Sequence, residues 1–125
     1  LLGNRKRLLC ASSPTGPALE GAEITHGMRA APGAIERVRI NPDTWQVRFK
    51  VIGEDRWSDE LPDSEIKARG ICGSGIIEAV AEMFAAGVLE RSGRFDPKLS
   101  SPRHMMLQKM SAFVIVKAEQ TVTGR

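Results

Sequence analysis

The clearest pattern in the chain alternates apolar and polar side chains. Trp45, Val47, Phe49 and Val51 fall on one side, and Gln46, Arg48 and Lys50 on the other. Successive side chains of a strand point to opposite faces, so residues 45–51 read as a strand with one buried face. Residues 35–40 read as its partner across the turn Asn41-Pro42-Asp43-Thr44, which predicts an antiparallel hairpin closed by Gly53-Glu54-Asp55. A second pattern has helical spacing. Ile76, Ile77, Val80, Ala81, Phe84 and Val88 form one stripe along residues 76–88, with Glu78 and Glu82 on the opposite, wet face and Gly87 as the stop. Directly before it, Gly70-Ile71-Cys72-Gly73-Ser74-Gly75 reads as a tight loop that feeds the helix N-terminus.

The remaining elements are weaker. Leu8-Leu9-Cys10-Ala11 reads as the second strand of a hairpin, with Gly3-Asn4 as the turn in front of it. Residues 12–17 are loop chemistry, and Pro17 suits the first position of a helix over residues 17–26 with Ala18, Leu19, Ala22 and His26 at helical spacing. Glu20 and Glu23 suit the start of that helix, whereas Gly21 inside it costs about 1 kcal/mol relative to alanine. Close approach of another group to the backbone would explain that glycine. Residues 57–69 have no period and are rich in Asp, Glu and Ser, the profile of a long acidic loop. Residues 90–95 read as a turn, the methionines of residues 105–110 as core filling, and residues 112–118 as a buried strand. The fold class expected is α+β, one partial domain divided into residues 1–28, 34–69 and 70–125.

Length and composition narrow the class. A chain of 125 residues with 42% hydrophobic and 26% charged residues is one ordinary globular domain with room for a core. No apolar run approaches the roughly 20 residues that span a bilayer. Cys10 and Cys72 stand far apart without CxxC or Cys/His spacing, which argues against a disulfide framework or a metal site and for a cytoplasmic location. The net charge of +3 is mild and the two signs are interspersed, against a dedicated nucleic-acid binder. The chain opens on Leu1-Leu2-Gly3-Asn4 without a methionine and stops at Thr123-Gly124-Arg125 with no closing element, so it reads as a piece of a larger protein.

Candidate chemistry centres on the glycine loop. Free backbone N–H groups at the positive end of a helix dipole suit an anion such as phosphate, although glycines also permit close packing with no ligand. Ser74 matches the hydrolase GxSxG elbow badly, because Cys72 stands where the first glycine belongs. Ser74 reads instead as a cap or a phosphate-side hydroxyl, and Cys72 as a small buried filler rather than a reactive thiolate. Neither His26 nor His104 has an orienting neighbour in sequence, so no catalytic residue is assigned. Arg37, Arg39, Arg48 and Lys50 gather on the open face of the hairpin, where they meet an acidic partner or solvent.

The order of blocks adds a resemblance. Gly-Asn-Arg-x-Arg-Leu-Leu-Cys-Ala-Ser-Ser-Pro-Thr-Gly-Pro-Ala-Leu-Glu-Gly-Ala over residues 3–22 is followed by Gly27-Met28-Arg29-Ala30 and Gly33-Ala34-Ile35. Then come Gly70-Ile71-Cys72-Gly73-Ser74-Gly75-Ile76-Ile77 and Gly93-Arg94-Phe95. In this order they resemble the reductive activators of corrinoid-dependent methyltransferases, ferredoxin-fused ATPases of the actin, sugar-kinase and heat-shock-chaperone superfamily. The resemblance implies a fragment of the C-terminal nucleotide-binding domain, of ribonuclease-H-like fold, with residues 34–69 as an inserted hairpin and loop. It implies ATP with Mg in the full-length protein, and a 2Fe–2S cluster in an N-terminal domain whose cysteines are absent here. Nucleotide contacts would fall to Gly16 and Glu20 and to Gly70, Gly73, Ser74 and Gly75. The implied activity is restoration of cob(I)alamin, with a corrinoid protein or corrinoid methyltransferase as partner and a homodimer left open. The fragment alone is expected to be inactive. The alternative is an interaction module, in which the hairpin and acidic loop dock a corrinoid protein and the glycine loop is purely structural.

Overall fold

A computed structural model of the chain describes residues 2–11, 16–19 and 23–124. Its centre is a three-stranded sheet in the order β4-β3-β5, formed by β3 (Ala34–Ile40), β4 (Val47–Val51) and β5 (Gly70–Ile71), crossed by the helix α2 (Gly73–Ala85). β3 and β4 pair antiparallel from Ile40↔Val47 to Ile35↔Val51, with a bulge between Ile35 and Arg37. Alternation sends Val38, Ile40, Phe49 and Val51 inward, where they join Ile66, Ala79 and Val88 in the core. This is the expected hairpin, with one change at its start. Trp45 stands before β4 in the left-handed region at φ 53, rather than in the strand.

The first two hairpin turns rest on asparagine. Asn41 Oδ1 accepts the N–H groups of Asp43 and Thr44 at 2.9 and 3.0 Å. Asn4 Oδ1 does the same for Lys6 and Arg7 at 2.9 and 3.0 Å, between β1 (Leu2–Gly3) and β2 (Leu8–Leu9). Such Asx turns replace backbone partners with a side-chain carbonyl. The expected N-terminal hairpin is therefore present, with its turn one residue beyond Gly3.

β5 runs parallel to β3, at Ala34↔Gly70 and Ile35↔Ile71, a pairing the sequence pattern does not announce. On its other side the chain at residues 26–28 closes in: Ile71 N–H donates to the His26 carbonyl and Met28 N–H to the Ile71 carbonyl, both at 2.9 Å. A Cβ at Gly70 would lie 2.6 Å from the His26 carbonyl oxygen, so only glycine lets the two backbones meet.

Several expectations are corrected. Of the helix expected over residues 17–26, the described part is α1 (Gly16–Leu19), and residues 23–26 are bends and turn rather than helix; residues 12–15 and 20–22, including Glu20 and Gly21, lie outside the described residues. The acidic loop is folded back in two 3-10 turns, Ser58–Glu60 and Asp63–Glu65, which bury Ser58 and bring Ile66 and Ala68 into the interior. Gln120 Nε2 ties it down by donating to Asp63 Oδ1 at 2.7 Å. The buried strand expected over residues 112–118 is instead β7 (Met110–Phe113), paired with β6 (His104–Leu107) around Gln108 and Lys109, both of positive φ. Its methionines are not core: Met106 and Met110 are 61% and 65% exposed. Gln-Lys lacks the Asn-Gly signature of left-handed hairpin turns, so the sequence does not announce this one.

Candidate functional site

The glycine loop enters α2, and α2 is held along β3 by a repeating set of polar contacts. At its start, Cys72 N–H and Sγ both donate to the Ile35 carbonyl, at 3.1 and 3.3 Å. Gly75 sits so close over the same carbonyl that any Cβ would overlap it. One turn on, Glu78 Oε2 accepts Val38 N–H at 2.7 Å; another turn on, Glu82 Oε2 accepts Ile40 N–H at 2.9 Å. Four helical residues rise about 6.0 Å and two strand residues about 6.6 Å, so carboxylates at i and i+4 meet strand donors at i and i+2. Trp45 Nε1 donates to the Ala86 carbonyl at 3.2 Å, fastening the helix C-terminus to the hairpin turn.

This arrangement reverses the expected orientation of the helix. Glu78 and Glu82 face the sheet, and Ile77, Val80 and Phe84 face outward at 59%, 51% and 51% exposure. The reason is the open edge of β3: β5 pairs only with Ala34 and Ile35, which leaves the N–H groups of Val38 and Ile40 in need of acceptors. The carboxylates supply them and also collect cations. Arg37 Nε donates to both Glu78 oxygens at 3.1 Å, and Arg39 Nη1 bonds Glu78 and lies 3.6 Å from Glu82. Burial alone pushes the Glu78 pKa up, but the hydrogen bonds from Arg39, Val38 N–H and Arg37 outweigh it and hold the carboxyl below its ordinary range. The basic face of the hairpin is thus engaged from both flanks, since Arg48 stacks 4.7 Å over the Trp57 ring and reaches Asp59 at 3.8 Å. The sequence held a signal for this: acids four apart in the helix, arginines two apart in the strand.

Of the six residues expected at a nucleotide, the structure separates two kinds. Gly70 and Gly75 are glycines because neighbouring backbone leaves no room for a side chain. Gly73 and Ser74 begin the helix, where the first described helical bond runs from Ile76 N–H to the Cys72 carbonyl, so the amides before it point out of the helix end. Ser74 is no cap: Cys72 is the N-cap residue, its side chain makes no bond to the helix's own first amides, and Ser74 Oγ meets Cys72 Sγ at 3.2 Å. Gly16 opens α1 at φ 72, where an added Cβ would meet no described residue, and the backbone of α1 runs close to that of α2, so the two regions are neighbours. Glu20 lies outside the described residues. Cys72 is buried, as expected of a cysteine flanked by Ile71 and Gly73. His104 lies beside Phe95 with its ring 6.0 Å away, and its buried Nε2 has no hydrogen-bond partner among the described residues.

Two further concavities lie on the hairpin rather than at the loop. One, of about 180 Å³, has Phe49, Val51, Leu61 and Ile66 in its wall and an ion pair at its rim, where Arg56 holds the Glu54 carboxyl down to about 2. The other, of about 390 Å³, is the polar groove between Arg39, Arg48, Asp59 and Glu82. Among the described residues no group of three or more His, Cys, Asp or Glu side chains could hold a metal ion, and no helix is long and apolar enough to cross a membrane.

A family model described as the C-terminal domain of RACo, the ASKHA domain, matches residues 1–125. The corrinoid activation enzyme RamQ of Eubacterium limosum is 37% identical over 131 residues, which cover 99% of this chain and 20% of that protein. The Co(II) methylated amine-specific corrinoid protein reductase of Methanosarcina barkeri is 34% identical over 94 residues, 68% of this chain and 17% of that protein. Among solved structures, a reductive activator for corrinoid, iron-sulfur protein matches with a TM-score of 0.72 and 35% identity over 88% of this chain and 16% of that one. The chain spans about a fifth of the length of the curated relatives it matches.

Proposed function

We propose, because this chain belongs to the family of the C-terminal ASKHA domain of RACo, that it forms part of the nucleotide-binding domain of an ATP-dependent reductive activator that returns a corrinoid protein to its cob(I) state. The observation that carries this reading is the match along the whole chain, joined by 37% identity to a corrinoid activation enzyme over 99% of it.

Within that reading the residues divide the work. The outward amides of Gly73 and Ser74, at the positive end of α2, receive phosphate oxygens. Gly16 lets the α1 turn approach the nucleotide, and Glu20 completes the contact. Gly70 and Gly75 act indirectly: they let β5 and the helix start lie flush on neighbouring backbone, which fixes where those amides point. When bound, magnesium would offset phosphate charge and a 2Fe–2S cluster in another domain would supply the low-potential electron. Magnesium is assigned to the nucleotide site of the full-length protein, and the cluster to its N-terminal domain. The partner is a corrinoid protein or corrinoid methyltransferase, and the location is cytoplasmic.

The test uses the full-length protein. Gly73→Val should weaken ATP binding by about tenfold in calorimetry, the worth of one charge-assisted hydrogen bond, with an unchanged circular dichroism spectrum. Undiminished affinity would remove the loop from the site. Failure of ATP to promote cob(I) formation, followed by absorbance with an intact corrinoid protein, would remove the function itself.

A further inference from the structure

The turn between β1 and β2 carries Arg5, Lys6 and Arg7 in succession, all exposed. The turn is fixed rather than slack. Asn4 Oδ1 accepts Lys6 and Arg7 N–H at 2.9 and 3.0 Å, and Asn4 N–H donates to the Arg7 carbonyl at 2.8 Å. No carboxylate among the described residues pairs with any of the three, whereas Arg37, Arg39, Arg48 and Arg56 on the central hairpin and its loop each have an acidic partner. The formal net charge of the chain is +3, from 18 basic and 15 acidic residues. Residues 5–7 are the one place in the sequence where three basic residues are adjacent, so the local charge density is highest at this turn.

We infer that this tip is a docking point for an acidic surface on a partner protein. Three adjacent cations repel one another and find no carboxylate among the described residues, so their fixed presentation is explained by an anionic group that meets them from outside. The chemistry favours a protein over other polyanions. Nucleic acid is tracked by a stripe or patch of cations along a surface, and charge elsewhere on this chain is balanced. Membrane surfaces are held by clusters of about 4–8 basic residues, more than the turn provides. A compact group of carboxylates matches the tip in size and sign. The inference does not depend on the nucleotide reading.

It is tested on the full-length protein with a labelled polyglutamate peptide as the probe, beside an oligothymidylate and phosphatidylserine vesicles. Simultaneous Arg5→Glu, Lys6→Glu and Arg7→Glu should weaken peptide binding about tenfold or more, as loss of three exposed ion pairs implies. The corresponding Gln substitutions should give an intermediate loss. Reversal of the exposed Arg91 and Arg94 should leave binding within about twofold, and ATP-dependent cob(I) formation with a free corrinoid substrate should be unaffected by the tip variants. An equal loss in the Arg91/Arg94 control would overturn the assignment. So would no peptide binding by the parent protein, no change in the tip variants, or tighter binding of the oligothymidylate or the vesicles through the tip.

Discussion

The hairpins β3–β4 and β6–β7 are built from similar amounts of apolar sequence and end in opposite states. In the first, both outer edges are sealed by side chains. Phe49 N–H, facing away from β3, donates to the buried Ser58 Oγ at 3.0 Å, while Val38 and Ile40 N–H, facing away from β4, donate to Glu78 and Glu82. In the second, only the base is secured. Arg103 Nη1 donates to the carbonyls of Val114 and Ile115 at 2.9 and 3.2 Å, and burial pushes that guanidinium below its usual pKa against the opposing pull of Asp63. Beyond it Met105, Met106, Leu107 and Met110 are exposed on both faces. Apolar content therefore does not decide which hairpin becomes core. Acceptors for the outward N–H groups do, because a strand can be buried only once its edge is satisfied.

This comparison can be broken at the helix start. Gly75→Ala drives a methyl into the Ile35 carbonyl, which backbone cannot yield, and should cost about 3 kcal/mol or more in urea unfolding. A near-neutral result would mean that α2 is not seated on β3 as described. Next in size, Glu78→Ala leaves Val38 N–H and two arginines without their acceptor and should cost about 2–3 kcal/mol. Glu78→Gln should cost less, since an amide oxygen still accepts from Val38.

The same residue sets a pH dependence. Its pKa is lower in the folded than in the unfolded state, so its contribution is complete above the ordinary value of 4.5 and lost as pH falls through the folded value beneath it. Thermal melts of Glu78→Gln should therefore lose less stability than the parent on acidification below that point; parallel curves would show that the carboxylate is not the group titrating. Ser58→Ala should cost about 1–2 kcal/mol, for one buried N–H left unpaired. At the bottom of the scale, Met106→Ser and Met110→Ser should each change stability by no more than about 0.5 kcal/mol. A loss above that would show that the second hairpin is packed after all.

What the sequence disclosed follows the same division. Period two located β4, and the Asn41-Pro42-Asp43-Thr44 turn located β3 as its partner, because a strand with one buried face writes its environment in alternate residues. Helical spacing and Gly87 located α2 to within a few residues, since Gly87 adopts φ 71 just past the C-cap Ala86. The face of α2 was not legible, because spacing reports that a stripe exists and not what each side touches. Glutamates that accept backbone N–H groups look, in a one-dimensional pattern, like glutamates in water. The parallel pairing of β5 was hidden for a related reason: two residues, one of them glycine, carry no periodicity. At the candidate site the glycines were visible as a group, but only the surroundings distinguish Gly70 and Gly75, which make room, from Gly73 and Ser74, which stand at the open helix end.

The matched spacing of α2 and β3 constrains motion as well as stability. Glu78 and Glu82 work as two teeth of a rack whose notches are the N–H groups of alternate strand residues, about 6.6 Å apart. A small slide of the helix would lift both teeth at once with no new notch in reach. The seam therefore has discrete resting positions, and the Gly73–Ser74 end can shift by a modest amount only if the helix pivots about it.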